Sequence, residues 1–298
     1  MILNRQKHLL SLVEALGGSL NNLDFQKLLF LYCQESKEIP PYEFIPYRFG
    51  AFSLTSYADK RRLTERGLLA NDDHAWTLTQ DGRGLGAMTR SERQRMEEFV
   101  RQHAGLRGDR LVAEAYRRHP YYAIRSEIAE RVLMGEKDTL AAVEAARPLV
   151  GRPGICTIGY EGRTFEGYLN ILIRHGVTLL CDVRRNPLSR KYGFSKSTLA
   201  RGCVGLGIRY EHLPELGISS EDRRGLERQA DYDALFAVYA QDWLPRQMEA
   251  LAKIQRWVDD GERVALTCYE RLPEQCHRHC IAEAMEKRGG RSFTPRHL

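Results

Sequence analysis

Residues 263–280, RVALTCYERLPEQCHRHC, carry the densest group of side chains able to do chemistry. Cys268 ends an apolar run that predicts a buried strand, and Cys276 and His277 stand where the next helical pattern begins. Ligands of open α/β sheets bind at the carboxyl ends of strands, and a helix amino terminus favours anions and lowers a thiol's pKa. We therefore expect a functional site with Glu270, Cys276 and His277 as catalytic candidates. Cys268 is equally typical of a packed core thiol.

Acidic side chains follow two earlier strand patterns. Glu161 comes after the first apolar run of this half of the chain, and Asp182 ends the second. Parallel strands would bring these ends to one edge of a sheet beside Glu270, where carboxylates could act as general acid or base. Asp182 could instead form an internal ion pair with Arg184 or Arg278.

Basic residues accompany the acidic ones. Residues 186–196, NPLSRKYGFSK, interleave cations with Tyr192 and Phe194. This mixture suits a phosphate-bearing ligand whose base stacks on an aromatic ring. The predicted phosphate-binding side chains are Arg184, Arg190, Lys196 and Arg278.

The elements that must position these residues alternate between strand and helix. Apolar runs at residues 155–158, 177–183, 208–213 and 264–268 predict strands, and amphipathic patterns lie between them. Residues 292–294 could add an edge strand. The alternation predicts an α/β domain with a Rossmann-like, mainly parallel sheet and helices on both faces.

The first half of the chain has a different pattern. Helical patterns lie at residues 4–16, 22–34 and 53–66, and Asn22 is the candidate N-cap of the second. A hairpin signal follows, with Leu69 in its first strand and Leu78 in its second. This is the order of a winged-helix domain. A stretch rich in Glu, Arg and Ala then predicts connected helices. The expected domains are a winged-helix domain at 1–88, a helical connector at 89–152 and the α/β domain at 153–298.

Several motifs of the second half resemble one family. GYEGR at 159–163, DVRRNPLSR at 182–190, CYE at 268–270 and CHR at 276–278 are similar to the domain of unknown function 488 family, over about residues 153–285. The resemblance implies an α/β fold and a shared polar site. It implies no particular reaction.

The first half resembles another group of proteins. FQKLLFL at 25–31 and FIPYRFGAFS at 44–53 are similar to SocA-like (Panacea) proteins and related winged-helix modules. The resemblance implies a third helix that enters the DNA major groove, with contacts from Lys60, Arg61, Arg62 and Arg66. A module that binds a protein instead is the alternative.

Metal binding is a less favoured interpretation of the cysteine cluster. Cysteines four apart on a helix share a face, so Cys276 and Cys280 could hold zinc together with Cys268 and His279. Zinc sites usually draw on two close ligand pairs, and only one occurs here, so no metal is expected. The chain also lacks a GxGxxG or P-loop motif, and no cofactor is expected.

The composition is that of a soluble protein. The chain has 298 residues, of which 43% are hydrophobic and 28% charged, and no apolar run is long enough to cross a membrane. Seven cysteines, an odd number scattered among apolar runs, fit reduced thiols in the cytoplasm. A net charge of +6 is compatible with a nucleic-acid partner.

These observations favour an enzyme that acts on DNA or a nucleotide and is targeted by the winged helix. Base excision, phosphoester cleavage and base modification remain open. The alternative is a non-enzymatic DNA-binding regulator whose α/β domain senses a small anionic ligand. A toxin–antitoxin or phage-defence setting depends on the SocA-like resemblance alone.

Overall fold

The computed structural model describes residues 2–36, 39–86, 89–103, 105–149, 151–289 and 295–298. The chain divides into two compact units, Met1–Arg147 and Pro148–Leu298. The expected boundaries at residues 88 and 152 are finer than this division and remain predictions. Within the described ranges, no helix is both long and apolar enough to span a bilayer.

Unit 1 is mainly helical. Its helices are α1 (Asn4–Ala15), α2 (Asn22–Glu35), α3 (Leu54–Glu65), α4 (Arg90–His103), α5 (Gly108–Arg118), α6 (Ala129–Val132) and α7 (Lys137–Ala145). Its short strands are β1 (Ser19–Asn21), β2 (Ile45–Tyr47), β3 (Gly50–Phe52) and β4 (Ala75–Thr77). Side chains of α1, α2, α4 and α5 contribute to one hydrophobic core.

Side-chain caps explain where α2 and α3 begin. The Asn21 side chain accepts a hydrogen bond from the amide of Asp24 at 2.8 Å, which caps α2 one residue before the expected Asn22. The Ser53 side chain caps α3 by accepting from the amide of Ser56 at 3.2 Å. These caps satisfy backbone donors that have no partner inside the helix.

The strands of unit 1 pair differently from the expected hairpin. β4 pairs antiparallel with β1, with Leu20 opposite Trp76. Leu69 and Leu78, which we expected in a two-stranded hairpin, form an isolated antiparallel bridge beside this pair. Strand pairing is non-local, so the local pattern showed the strand at β4 but not its main partner.

Unit 2 contains a five-stranded sheet. Its strands are β5 (Gly154–Gly159), β6 (Leu179–Asp182), β7 (Arg209–His212), β8 (Arg263–Cys268) and β9 (Arg296–His297), in the order β7-β6-β8-β5-β9. All four neighbouring pairs are parallel. The helices are α8 (Phe165–Arg174), α9 (Lys196–Val204), α10 (Gln229–Val238), α11 (Met248–Asp259) and α12 (Arg278–Gly289). The expected parallel α/β sheet is therefore confirmed.

Helices cover both faces of this sheet, as the continuous apolar character of the strands predicts. On one face, Val264 and Leu266 belong to a core that includes residues of α10, α11 and α12. On the other face, the hydroxyl of Tyr168 on α8 donates to Thr267 at 2.8 Å. The edge strand expected at residues 292–294 lies outside the described residues, and β9 forms that edge in the described part of the chain.

Candidate active site

The carboxyl ends of β5, β6 and β8 meet at one edge of the sheet. In the parallel register, Asp182 on β6 lies opposite Thr267 on β8, and Gly159 on β5 lies opposite Cys268. The expectation that Asp182 and Cys268 lie near the ends of neighbouring strands is confirmed. The loops that follow the three strands bring Glu161, Arg184 and Glu270 to the same edge.

Asp182 and Arg184 satisfy each other inside the unit. The Asp182 side chain is fully buried, and the Arg184 guanidinium contacts both of its oxygens, at 2.8 Å and 2.5 Å. The hydroxyl of Tyr210 also donates to Asp182, at 2.7 Å. Burial opposes the charged guanidinium, but the hydrogen bonds and charge of Asp182 outweigh it and raise the pKa of Arg184. Of the two alternatives for Asp182, the structure therefore shows the internal ion pair, with Arg184.

Nη1 of Arg184 has two further partners inside the unit. Its Nη1 donates to the Tyr160 hydroxyl at 3.0 Å and to the Phe194 carbonyl at 2.8 Å. Tyr160 stacks on Phe194, with ring centroids 4.3 Å apart. Phe194 is fully buried, so its ring does not offer the stacking surface that the sequence suggested.

Arg278 holds the loop that follows β8. It is only 1% exposed, and its guanidinium donates to the carbonyl of Glu270 at 2.6 Å and to that of Arg271 at 3.0 Å. Its Nε lies 3.4 Å from the hydroxyl of Thr157 on β5. The expected phosphate-binding role of Arg278 does not fit this burial, because the side chain binds backbone carbonyls inside the unit. Its expected pairing with Asp182 is also not found.

The Cys268 sulfur lies in a buried cluster. Donor atoms of Cys268, Cys276 and His277 lie within 4.8 Å of one another, and all three residues are buried. The Sγ of Cys268 is 3.9 Å from Nδ1 of His277 and 3.4 Å from Oε2 of Glu270. Arg223 contacts the other carboxylate oxygen of Glu270, and its Nη2 lies 2.5 Å from His277 Nδ1. The cluster thus combines two thiols, an imidazole and a carboxylate with one guanidinium.

The two thiols differ in acidity. The hydrogen bond from Cys276 lowers the pKa of Cys268 well below 9.0, and the charge of Arg223 adds to this, although burial opposes it. Burial, followed by the bond to Cys268 and its charge, raises the pKa of Cys276. Our expectation of an acidic Cys276 is wrong, because this thiol is fully buried and burial raises its pKa.

The pKa of Glu270 is also raised. The largest cause is burial, the second is the charge of Cys268, and Arg223 counteracts both. Glu161 lies beside this loop and accepts a hydrogen bond from the amide of Arg271 at 2.9 Å. Both expected carboxylates are thus at the strand edge, with Glu270 in the more perturbed environment.

Exposed side chains border the buried groups. Tyr269 is 46% exposed and its ring lies 5.3 Å from that of Tyr160. The Nζ of Lys191 donates to the Tyr160 carbonyl at 3.2 Å. Arg190 and Lys196 are exposed, and the Nζ of Lys196 lies 3.1 Å from Nδ1 of His212. Of the four expected phosphate-binding cations, these two are accessible to solvent.

The structure brings together a different set of possible zinc ligands from the one that the sequence suggested. His277 joins the two cysteines, whereas the Nδ1 of His279 lies 2.7 Å from the Cys276 carbonyl. The Sγ of Cys280 lies 3.3 Å from Nε2 of His279, and neither residue is a member of the group. The helical spacing misled us because α12 begins only at Arg278, so Cys276 precedes it in an extended conformation.

Arg223 and Tyr269 are the site residues that sequence reasoning missed. Arg223 stands in the polar stretch 220–228, which has neither strand nor helix periodicity, so no signal pointed to it. Tyr269 lies between Cys268 and Glu270, and its position directly after a buried strand could have indicated an exposed ring at the sheet edge.

The DNA-binding candidates of unit 1 fall into two groups. Lys60 is 7% exposed, and its Nζ donates to the carbonyl of Asp72 at 2.8 Å and lies 5.0 Å from the centre of the Trp76 ring. This inward position is at odds with a DNA contact by Lys60. Arg61 and Arg62 on α3 and Arg66 after it are exposed.

Comparison with known proteins gives a family match for part of unit 2. Residues 164–285 match the model of the family described as Domain of unknown function DUF488. The matched residues run from the start of α8 to within α12 and include β6, β7, β8 and the cysteine cluster. The GYEGR motif at 159–163 precedes them. No curated protein and no solved structure matches the chain.

Proposed function

We propose that unit 2 is an enzyme acting on a nucleotide or nucleic acid at the carboxyl edge of its sheet. The observation that carries the proposal is the exposed ring of Tyr269, which directly precedes Glu270 and follows Cys268. An exposed aromatic ring suits stacking by a base, and stacking of this kind contributes about 1–3 kcal/mol per base.

Neighbouring groups supply the remaining requirements. Burial raises the pKa of Glu270, which favours the protonated form and suits a general acid. Two exposed cations can contact phosphate: Arg190, on the loop that reaches Tyr160 through Lys191, and Lys196, at the start of α9. In this proposal Glu270 transfers the proton, Tyr269 holds the base, and these two cations hold the phosphate. Base excision, phosphoester cleavage and base modification all fit these roles.

The proposal is tested by incubating the full chain with single-stranded and duplex oligonucleotides and with free nucleotides, and analysing the products by mass spectrometry. Glu270→Gln keeps the shape of the side chain but cannot transfer the proton, so we expect turnover to be lost while binding is retained. Tyr269→Ala should weaken binding by about 10-fold or more, and the matched control Tyr269→Phe should not. Equal binding by the Ala variant and the unchanged protein would refute the stacking role.

A second function is supported by unit 1. The order α1, β1, α2, β2, β3, α3 and β4 contains the three helices expected of a winged-helix module, β4 pairs with β1, and α3 exposes Arg61 and Arg62. We propose that α3 contacts duplex DNA through these two side chains. Replacing both with Ala should reduce the slope of log affinity against log salt by about 1.8, since each neutralised phosphate contributes about 0.9. A salt slope that does not change favours a protein-binding module.

The same measurements separate the enzyme from the non-enzymatic regulator. A regulator would bind DNA through unit 1 and a small anion through unit 2 without converting either. Binding of nucleotide by the full chain with no product, under conditions in which Tyr269→Ala loses that binding, would support the regulator.

A further inference from the structure

We propose that Cys268, Cys276 and His277 bind a divalent metal ion of the zinc class. The proposal does not depend on the enzymatic reaction described above. Two cysteine sulfurs and an imidazole nitrogen are ligands that zinc prefers, and here they converge from the end of β8 and the segment before α12.

The spacing of the donor atoms fits a tetrahedral ion. Zinc–sulfur bonds of about 2.3 Å and zinc–nitrogen bonds of about 2.0–2.1 Å place a sulfur and a nitrogen about 3.6 Å apart around the metal. The observed separation between Cys268 Sγ and His277 Nδ1 is 3.9 Å, and all donor atoms of the group lie within 4.8 Å. If the distances between the donor atoms shorten by a few tenths of an ångström to about an ångström, all three donors lie at bonding distance from one metal ion.

His277 is oriented as a metal ligand. Its Nε2 lies 3.1 Å from the carbonyl of Val183, an acceptor that requires the proton on Nε2. The lone pair is therefore on Nδ1, the atom that faces Cys268. Metal-binding histidines commonly donate their second ring nitrogen to a backbone carbonyl in this way, which fixes the ring and the tautomer.

A cation already occupies this position. Arg223 contacts Nδ1 of His277 and a carboxylate oxygen of Glu270, and it also hydrogen-bonds Cys268. Three acceptor groups thus converge on one positive charge. Arg223 belongs to a stretch of turns rather than to a helix or strand, so its side chain can leave the cluster without unfolding an element. A metal ion would take its place.

Binding of a metal ion would change the protonation of the cysteines and leave Glu270 beside the ion. Cysteines bind metals as thiolates, so metal binding releases the thiol protons of the pair to solvent. Glu270 borders the fourth position, because its Oε2 is 3.4 Å from Cys268 Sγ. The three protein ligands bind the ion, and Glu270 remains outside the set.

The test is a titration of the reduced full chain with cobalt(II), which reports thiolate ligation by charge-transfer absorption, followed by competition with zinc and measurement of bound metal. We expect one metal ion per chain and a melting temperature that rises with zinc concentration. Cys276→Ser and His277→Gln should each weaken binding by at least about 100-fold, more than the loss of an outer-sphere partner. The absence of thiolate–cobalt absorption in the unchanged protein would overturn the proposal.

Matched variants separate ligand loss from misfolding. Cys280→Ser and His279→Gln alter the same residue types within a few positions, and both should bind metal as the unchanged protein does. Metal loss in these variants as large as in Cys276→Ser overturns the ligand set. Glu270→Gln should retain the metal, and its complete loss would make Glu270 a ligand, contrary to the proposal. Arg223→Gln removes the competing cation and should strengthen binding, whereas weaker binding shows that the metal does not replace Arg223.

Discussion

Lys27 gives the chain a pH-dependent stability that can be calculated from its burial. The side chain on α2 is 2% exposed, and its Nζ donates to the carbonyl of Ala51 at 2.9 Å. Burial lowers its pKa from 10.5 to about 7. The unfolded chain therefore holds this proton more tightly than the folded protein does.

The sign follows from that difference. A lowered pKa in the folded state means that the contribution of Lys27 to stability is complete above pH 10.5 and is lost as the pH falls towards 7. Each pKa unit is worth about 1.4 kcal/mol, so the whole change amounts to about 5 kcal/mol. The free energy of unfolding of unit 1 should rise with pH across this interval.

Lys27→Met isolates the effect, because it keeps an unbranched side chain and removes the charge. The loss of the bond to the Ala51 carbonyl costs about 1–3 kcal/mol. At pH 6 the variant should therefore be more stable by about 2–4 kcal/mol. Near pH 10, where about 1 kcal/mol of the burial penalty remains, it should be less stable by up to about 2 kcal/mol.

The assay is urea unfolding of the full chain from pH 6 to 10, with hydrogen exchange of α2 peptides to report on unit 1. Lys137→Met replaces an exposed lysine of the same unit and should leave the pH profile unchanged. Parallel pH profiles for Lys27→Met and the unchanged protein would show that Lys27 is hydrated, and would refute the reasoning.

Three further predictions follow from buried contacts. Asp182→Asn leaves the Arg184 charge buried without its counter-ion. The free energy of unfolding, measured in urea, should fall by about 3–5 kcal/mol, and a loss below about 1 kcal/mol contradicts the ion pair. Gly159→Ala would place a Cβ 1.8 Å from the Glu270 carbonyl oxygen, so it should displace the loop that follows β8. The free energy of unfolding should fall by about 1–3 kcal/mol, and an unchanged melting temperature would disprove this. Lys60→Ala should reduce stability by about 1–3 kcal/mol while sparing the salt slope of DNA binding, and a reduced slope with intact stability contradicts the inward position.

The sequence predicted the parallel sheet and the edge of the sheet at which the candidate site lies. Repeated apolar runs between amphipathic helices imply parallel strands, and parallel strands place their carboxyl ends together. Asp182, Glu161 and Glu270 could therefore be assigned to one edge of unit 2. No comparable rule predicts partners of short antiparallel strands, which is why β1 was missed as the partner of β4.

Roles inside the site could not be read from the sequence, because they depend on which donors each group meets. Arg278 binds two carbonyls that are close only after the β8 loop has folded back. The acidity of Cys268 depends on the thiol of Cys276 and on Arg223, which comes from a segment without periodicity. His277 joins the two cysteines and His279 does not, because α12 begins only at Arg278.

The adjacency of Cys276, His277 and Arg278 has a mechanical consequence. Arg278, at the start of α12, anchors the loop that bears Glu270, and the two preceding residues carry cluster donors. A small sliding of α12 thus moves Cys276, His277 and the Glu270 loop together, whereas Cys268 stays at the end of β8. Loosening α12 where Ile281 and Met285 pack in the core should therefore change the distances from Cys268 to the other two donors of the cluster.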